Sequence, residues 1–242
     1  MVYLLGHEAG NGGYSQGRTC TLPRQRSTLL HEVLDLWFEH EVKPRLRGRA
    51  FEIRFADDAA LAFEREEDAR RVLAVLSKRF EKYGLRLHPE KTRLVDFRSP
   101  PRAGGGGSQR ERSFGLLGFT HYWGRSRKGH WVVQRKTAKD RFTRALREIG
   151  RWCRAHRHWP VAAQQAALHR KLMGHYAYYG ITGNGRALAR FLYEVRRLWR
   201  KWLNRRSWHA RMTWDKFVRL ATRYPLPLPR VVHSVFRHTA TP

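Results

Sequence analysis

The chain has 242 residues, with 49 Lys and Arg against 20 Asp and Glu, a formal charge of +29. Hydrophobic residues make up 41% and aromatics 12% of it, enough apolar surface for a core, which excludes a disordered basic tail. Arg or Lys interrupts every apolar run well short of the roughly 20 residues a membrane-crossing helix needs. Residues 1–13 lack the pattern of a secretory leader, and the two cysteines, Cys20 and Cys153, make neither a disulfide framework nor a four-cysteine zinc site. A reducing, cytoplasmic setting without a membrane partner is the expectation. So large a charge calls for a polyanion, and nucleic acid is the default. From Gly124 onward cations dominate, whereas residues 32–96 are nearly balanced, so the two halves are expected to do different jobs.

Residues 1–27, rich in Gly, Arg and Ser, show no helical or strand period and read as loop or disorder. From Thr28, the spacing of Leu30, Val33, Leu34 and Trp37 predicts a helix capped by Ser27 or Thr28 and ended by Pro44. Residues 50–55 alternate, with Phe51, Ile53 and Phe55 against Glu52 and Arg54, which predicts a half-buried strand. A second strand is expected over 60–63, leaving Ala56, Asp57, Asp58 and Ala59 at a hairpin turn. Ala69, Val72, Leu73, Leu76 and Phe80 mark a helix over 66–83, with acids in its first turn and Gly84 as its left-handed cap. Short strands follow at 85–87 and 92–97. Residues 98–112, with Pro100, Pro101 and four successive glycines, form a loop or linker, and strands resume at 114–123 and 131–134.

Beyond Lys136 the pattern is helical. Phe142, Leu146, Ile149 and Cys153 mark one helix. Pro160 opens a second, lined by Gln165, Leu168, Leu172, Tyr176 and Tyr179, and Leu188, Phe191, Val195, Leu198 and Trp202 mark a third. A shorter helix is expected over 213–222. The fold class is therefore α+β, with a sheet domain over 28–135 and an all-α bundle over 136–242.

Asp57 and Asp58, adjacent at a turn, repel one another, and a hard divalent cation is a natural occupant. An Asp pair at a turn is also an ordinary solvated feature, because Asp bonds its own backbone there. The surrounding strings are more specific. Arg54-Phe55-Ala56-Asp57-Asp58 between two strands, Gly84-Leu85-Arg86-Leu87 running on to Lys91-Thr92, and Phe114-Gly115-Leu116-Leu117-Gly118-Phe119 together resemble the reverse transcriptases encoded by bacterial group II introns. The resemblance implies metal binding by Asp57 and Asp58 (Mg²⁺ or Mn²⁺) in a polymerase palm, and a contact of Lys91 with the incoming nucleotide or pyrophosphate. It also implies a primer grip made by the backbone of Leu117, Gly118 and Phe119. Leu172-Met173-Gly174-His175-Tyr176-Ala177-Tyr178-Tyr179-Gly180 is similar to the maturase, or thumb, region of the same family. There Tyr178 and the basic residues Arg197, Arg200, Lys201, Arg205 and Arg206 suit an RNA groove, by stacking on bases and contacting phosphates. Tyr176 and Tyr179 also fit core positions at helical spacing.

The resemblance begins in the middle of the family's polymerase, without its fingers or first palm aspartate. Ser15-Gln16-Gly17 and Leu30-His31-Glu32-Val33-Leu34-Asp35 resemble the two ends of a family stretch, while residues 18–26 between them do not fit, as if read in a shifted frame from a decayed gene. The expectation is a partial palm and thumb that bind intron RNA without polymerising alone, unless a separate chain supplies the missing parts. In the intact family a DNA primer or target is a further partner. The rival expectation is a plain basic RNA-binding or structural protein.

Overall fold

The computed structural model describes residues 2–8, 29–55, 58–87, 92–97, 100, 112–207 and 211–234, with backbone alone for 2–8 and 86. Two compact units divide between Gln134 and Arg135.

The first unit is built on strands β1 (Val2–Glu8), β2 (Ala50–Phe55), β3 (Asp58–Phe63), β4 (Arg86–Leu87) and β5 (Arg93–Val95). Their order is β2-β3-β1-β4, with β5 also on β1, and every pairing is antiparallel. β1 corrects the reading of residues 1–27 as wholly irregular. Val2-Tyr3-Leu4-Leu5 is an unbroken apolar run with no alternation, the pattern of a strand flanked by others rather than of a half-exposed one. One face of the sheet packs against helix α1 (Glu66–Lys82) and the segment that precedes β2, around Leu34, Phe38, Leu61, Leu76 and Phe80. Each such side chain, fully buried, contributes about 1.5–3 kcal/mol.

The preceding segment follows the expected stripe but not the expected helix type. His31–Leu36 and Phe38–Val42 are wide π-turns, closed by a 3₁₀ turn at Lys43–Arg45 that contains Pro44. Leu30, Val33, Leu34, Trp37, Phe38 and Val42 are buried, and the expected caps Ser27 and Thr28 lie outside the described residues. Arg79 of α1 donates to the Val33 carbonyl at 2.8 Å and lies over the Trp37 ring, tying the two layers together. At the end of α1, Gly84 has φ 70°, Gly84 N–H donates to Glu81 O and Leu85 N–H to Phe80 O, so the glycine cap closes as the sequence predicts.

A three-stranded sheet, β6 (Ser113–Leu116), β7 (Phe119–Arg125) and β8 (Trp131–Thr137), completes the strands. The single strand expected over 114–123 is in fact a tight hairpin, with Leu116 paired to Phe119 across Leu117 and Gly118. Both turn residues have positive φ, 51° and 73°, the geometry that matches a two-residue turn to the strand twist. Phe114 packs with Ala60 and Val95 on the sheet face away from α1.

The second unit holds α2 (Lys139–Ala155), α3 (Val161–Tyr179), α4 (Gly185–Leu203) and α5 (Trp214–Arg223). Its core gathers Leu168, Leu172, Tyr176, Phe191, Val195, Trp199 and Phe217. Leu198 and Trp202 pack against this core half-buried, as expected, and two further residues are fully buried: Trp199 and, one step from the expected Gln165, Gln164. The two are bonded, Trp199 Nε1 donating to Gln164 Oε1 at 2.9 Å, while Gln164 Nε2 donates to the carbonyls of Arg157 and Trp159. A polar residue is tolerated in that core because each of its groups has a partner. Buried Asn184 holds the entry to the bundle in the same way, accepting from Thr137 N–H and donating to Thr137 Oγ1 and Tyr179 O. Gly180, after α3, accepts from the backbone N–H groups of Val232 and His233. A Cβ there would stand 2.3 Å from Tyr176 O and 2.8 Å from Arg230 O, so the position admits only glycine. Among the described residues no helix is long and apolar enough to cross a membrane.

Candidate nucleic-acid interface and aspartate hairpin

β2 pairs with β3 in the register Phe55 to Asp58, so the connection between them is two residues, not the four-residue turn expected. Asp58 is the first residue of β3 and is exposed. Asp57 and Lys91 lie outside the described residues. Cross-strand partners share a face, so Asp58 lies on the side of Phe55, Ile53 and Phe51, away from α1.

That face holds a departure from the predicted burial. Phe51, Ile53 and Phe55 are 60%, 55% and 68% exposed, while Glu52 and Arg54 point to the covered side. The alternation is real and its direction is reversed. The reason is an ionic cluster: Arg54 donates to both carboxylate oxygens of Asp35 at 2.6 Å, and His31 meets the same carboxyl at 2.9 Å. A fork-on-carboxylate pair is a strong, charge-assisted contact, and it anchors β2 by its polar side. Burial pushes the Glu52 carboxyl up to about 8, helped by its contact with Asp35. Burial also raises Asp35, but the bonds from Arg54, His31 and Glu52 outweigh it and hold that carboxyl below its usual range. Glu52 is thus protonated near neutrality and Asp35 ionised.

Because Glu52 and Asp35 lie on the opposite face of the sheet from Asp58, these carboxylates do not converge. Among the described residues no group of three His, Cys, Asp or Glu stands ready for a metal ion. The described residues therefore do not compose a Mg²⁺ site by themselves. The Leu117-Gly118 turn is the other motif of this unit. Leu117 is the one non-glycine residue with positive φ among those described, a conformation that costs a branched-chain residue of this kind about 1–2 kcal/mol.

In the second unit the expected RNA-contacting residues separate into different roles. Arg206 donates to the carbonyls of Arg157 and Trp159, closing the turn between α2 and α3. Arg200 donates to Met212 O at 2.9 Å with its guanidinium 4.2 Å from the Trp214 ring centroid, an internal brace. Arg197 is exposed and paired with Glu194. Lys201 and Arg205 are exposed, each over the Trp202 ring, and Tyr178 is exposed beside Tyr179. Tyr176 is a core residue, its hydroxyl donating to Pro227 O. Its partner in the motif, His175, stacks on Phe191 at 3.8 Å, and burial pulls its pKa down to about 4. The sequence does not single out Arg154 as a surface partner of Trp202, which is half-buried and packs against the core as its helical spacing implies.

Antiparallel strands on packed helices, followed by a helical unit, give the α+β architecture of a partial polymerase palm with a helical region. Residues 27–121 match the family model for reverse transcriptase (RNA-dependent DNA polymerase). That stretch is thus of reverse-transcriptase type, and nucleic acid is the class of partner it implies. No curated protein matches the chain.

Proposed function

We propose that the chain binds RNA, in particular folded RNA of the group II intron type, and that the helical unit makes the contact in the manner of a maturase thumb. The observation that carries the reading is charge. Residues 135–242 contain 25 Lys and Arg and four Asp and Glu. Three of those acids, Asp140, Glu148 and Glu194, are already paired with Arg141, Arg151 and Arg197. Twenty-five cations against four acids leave this unit a large excess of positive charge, and polyphosphate supplies the counter-charge. The reading is tested by measuring affinity for a group II intron RNA and for a length-matched unrelated RNA across a salt series. A preference for the intron RNA that persists as salt rises supports it. Equal affinities that collapse together would leave a generic polycation.

A second reading has its own support in the reverse-transcriptase match over 27–121 and in the strained Leu117 turn. It is RNA-directed DNA synthesis, with Asp57 and Asp58 holding Mg²⁺ or Mn²⁺, Lys91 on the nucleotide and the Leu117–Phe119 backbone on the primer, alone or with a second chain. Primer extension on an RNA template decides it: synthesis abolished by Asp57→Asn establishes this reading, and none with either protein leaves RNA binding as the activity.

A further inference from the structure

The α2–α4 seam carries an arrangement that a solvated basic surface does not explain. Three cations from two helices surround one indole: Arg205, Lys201 and Arg154 stand 5.1, 5.7 and 5.9 Å from the Trp202 ring centroid. Arg154 reaches across from α2, and the other two come from α4 and the turn that ends it. All three are exposed, and among the described residues no carboxylate pairs with any of them. Those distances keep every two of the charges within about 12 Å, so salt, with a Debye length of about 8 Å under physiological conditions, weakens their mutual repulsion without removing the local concentration of positive charge. An indole face attracts each cation but neutralises none.

The corner is also held in shape. Arg206, next to Arg205, is fixed by the carbonyls of Arg157 and Trp159 at the α2–α3 turn. Arg157 donates to Arg154 O. The backbone on both sides of the indole is therefore set by internal bonds, and Arg154, Lys201 and Arg205 keep their N–H donors for another molecule. Such a cradle suits an anion with several oxygens that can bridge separate cations, spaced along a chain.

We propose that Arg154, Lys201 and Arg205 around Trp202 form the seat for consecutive phosphodiesters of a single RNA strand. The proposal rests on the RNA-binding reading above and narrows it to one corner of the helical unit. Arg206, equally basic in sequence, braces that corner, while Arg200 braces the approach to α5.

The test uses the full chain, poly(U) as a strand with little structure of its own, and the variant Arg154→Gln/Lys201→Gln/Arg205→Gln. The control, Lys216→Gln/Arg219→Gln/Arg223→Gln, removes the same charge from exposed positions of α5. All six side chains are exposed, so both variants should melt like the parent, and circular dichroism checks this. The expected result is at least a tenfold loss of poly(U) affinity in the cradle variant. Its log–log salt slope should be shallower by about 2, from three lost contacts at about 0.7 each, with a several-fold smaller effect in the control. Equal losses in the two variants overturn the cradle while leaving RNA binding intact. Absence of poly(U) and intron RNA binding by the parent chain overturns both. Two further arms identify the source of the phosphate: competition by inorganic phosphate at millimolar concentration, or cradle-dependent binding to phosphatidylglycerol vesicles without cradle-dependent RNA binding, would each contradict a polynucleotide seat.

Discussion

The two units solve the problem of charge in opposite ways. In the sheet unit, cations are matched internally: Arg54 grips Asp35, Arg49 meets Glu64, and Arg70 meets Glu66. Even the buried carboxylate of Asp68 is used, accepting from the backbone N–H groups of Arg47 and Gly48 at 3.1 and 3.0 Å. That unit also leaves an apolar stripe outward, Phe51, Ile53 and Phe55, among exposed cations such as Arg45, Arg47 and Lys82. The helical unit closes its apolar core and leaves cations outward. The sheet unit thus holds most of the stretch that matches the reverse-transcriptase model, and the helical unit the larger excess of positive charge.

The comparison can be broken at several points. The largest effect is expected in the helical unit from Gly180→Ala, whose methyl has no room between two carbonyls. Destabilisation of about 3 kcal/mol or more, read by chemical denaturation, is the expected outcome. In the sheet unit, Asp68→Ala strands two backbone N–H groups of the loop before β2, and a loss of about 2–3 kcal/mol is expected. A loss under 1 kcal/mol would mean that the loop finds water in place of the carboxylate.

The pH response should divide in the same way. His175 has its folded pKa lowered from 6.5 to about 4, so its unfolded form binds the extra proton between those values. The helical unit should lose stability as pH falls from 6.5 toward 4. Glu52 is raised from 4.5 to about 8, so the folded form binds the extra proton, and the sheet unit should lose stability as pH rises from 4.5 to 8. Asp35, lowered, adds an acid-side loss only below the ordinary aspartate value of 3.8. Melting curves of His175→Phe and Glu52→Gln across pH 4–9 check both signs: the first variant should flatten the acid limb alone, the second the alkaline limb alone. The smallest effect is expected at the hairpin, where Leu117→Gly relieves a left-handed leucine. A gain of up to about 1 kcal/mol would show that the turn is strained, and a loss would show that the leucine side chain repays its backbone cost by packing.

Much of this was legible in the sequence where one physical signal dominated. The α1 stripe and its Gly84 cap, the four helices beyond Lys136 and the edges of β2 follow from apolar spacing and turn chemistry. The failures have local causes. Alternation in β2 locates a strand but not which side faces the helices, and Arg54 with Asp35, distant in sequence, decides that. Leu117 and Gly118 read as strand because leucine rarely adopts positive φ. Trp199 shares the helical period of Trp202, and its full burial depends on the bond to Gln164 across the bundle. Asp68 read as a first-turn acid because its two backbone partners precede it by some twenty residues. At the candidate site, the sequence picked out Lys201 and Arg205 as surface cations. It could not see that Arg206 and Arg200 turn inward, since a guanidinium and a free carbonyl find each other only after folding.

Photo-crosslinking of the full chain to 4-thiouridine-substituted intron RNA tests most directly whether RNA meets the helical unit. Crosslinked peptides are expected from residues 139–206, with Trp202 and Tyr178 among the modified positions and the yield at Trp202 lowest in the variant lacking its three cations. Crosslinks concentrated at Phe51 and Phe55, with residues 139–206 unmodified, would contradict it and place the RNA on the open face of the sheet.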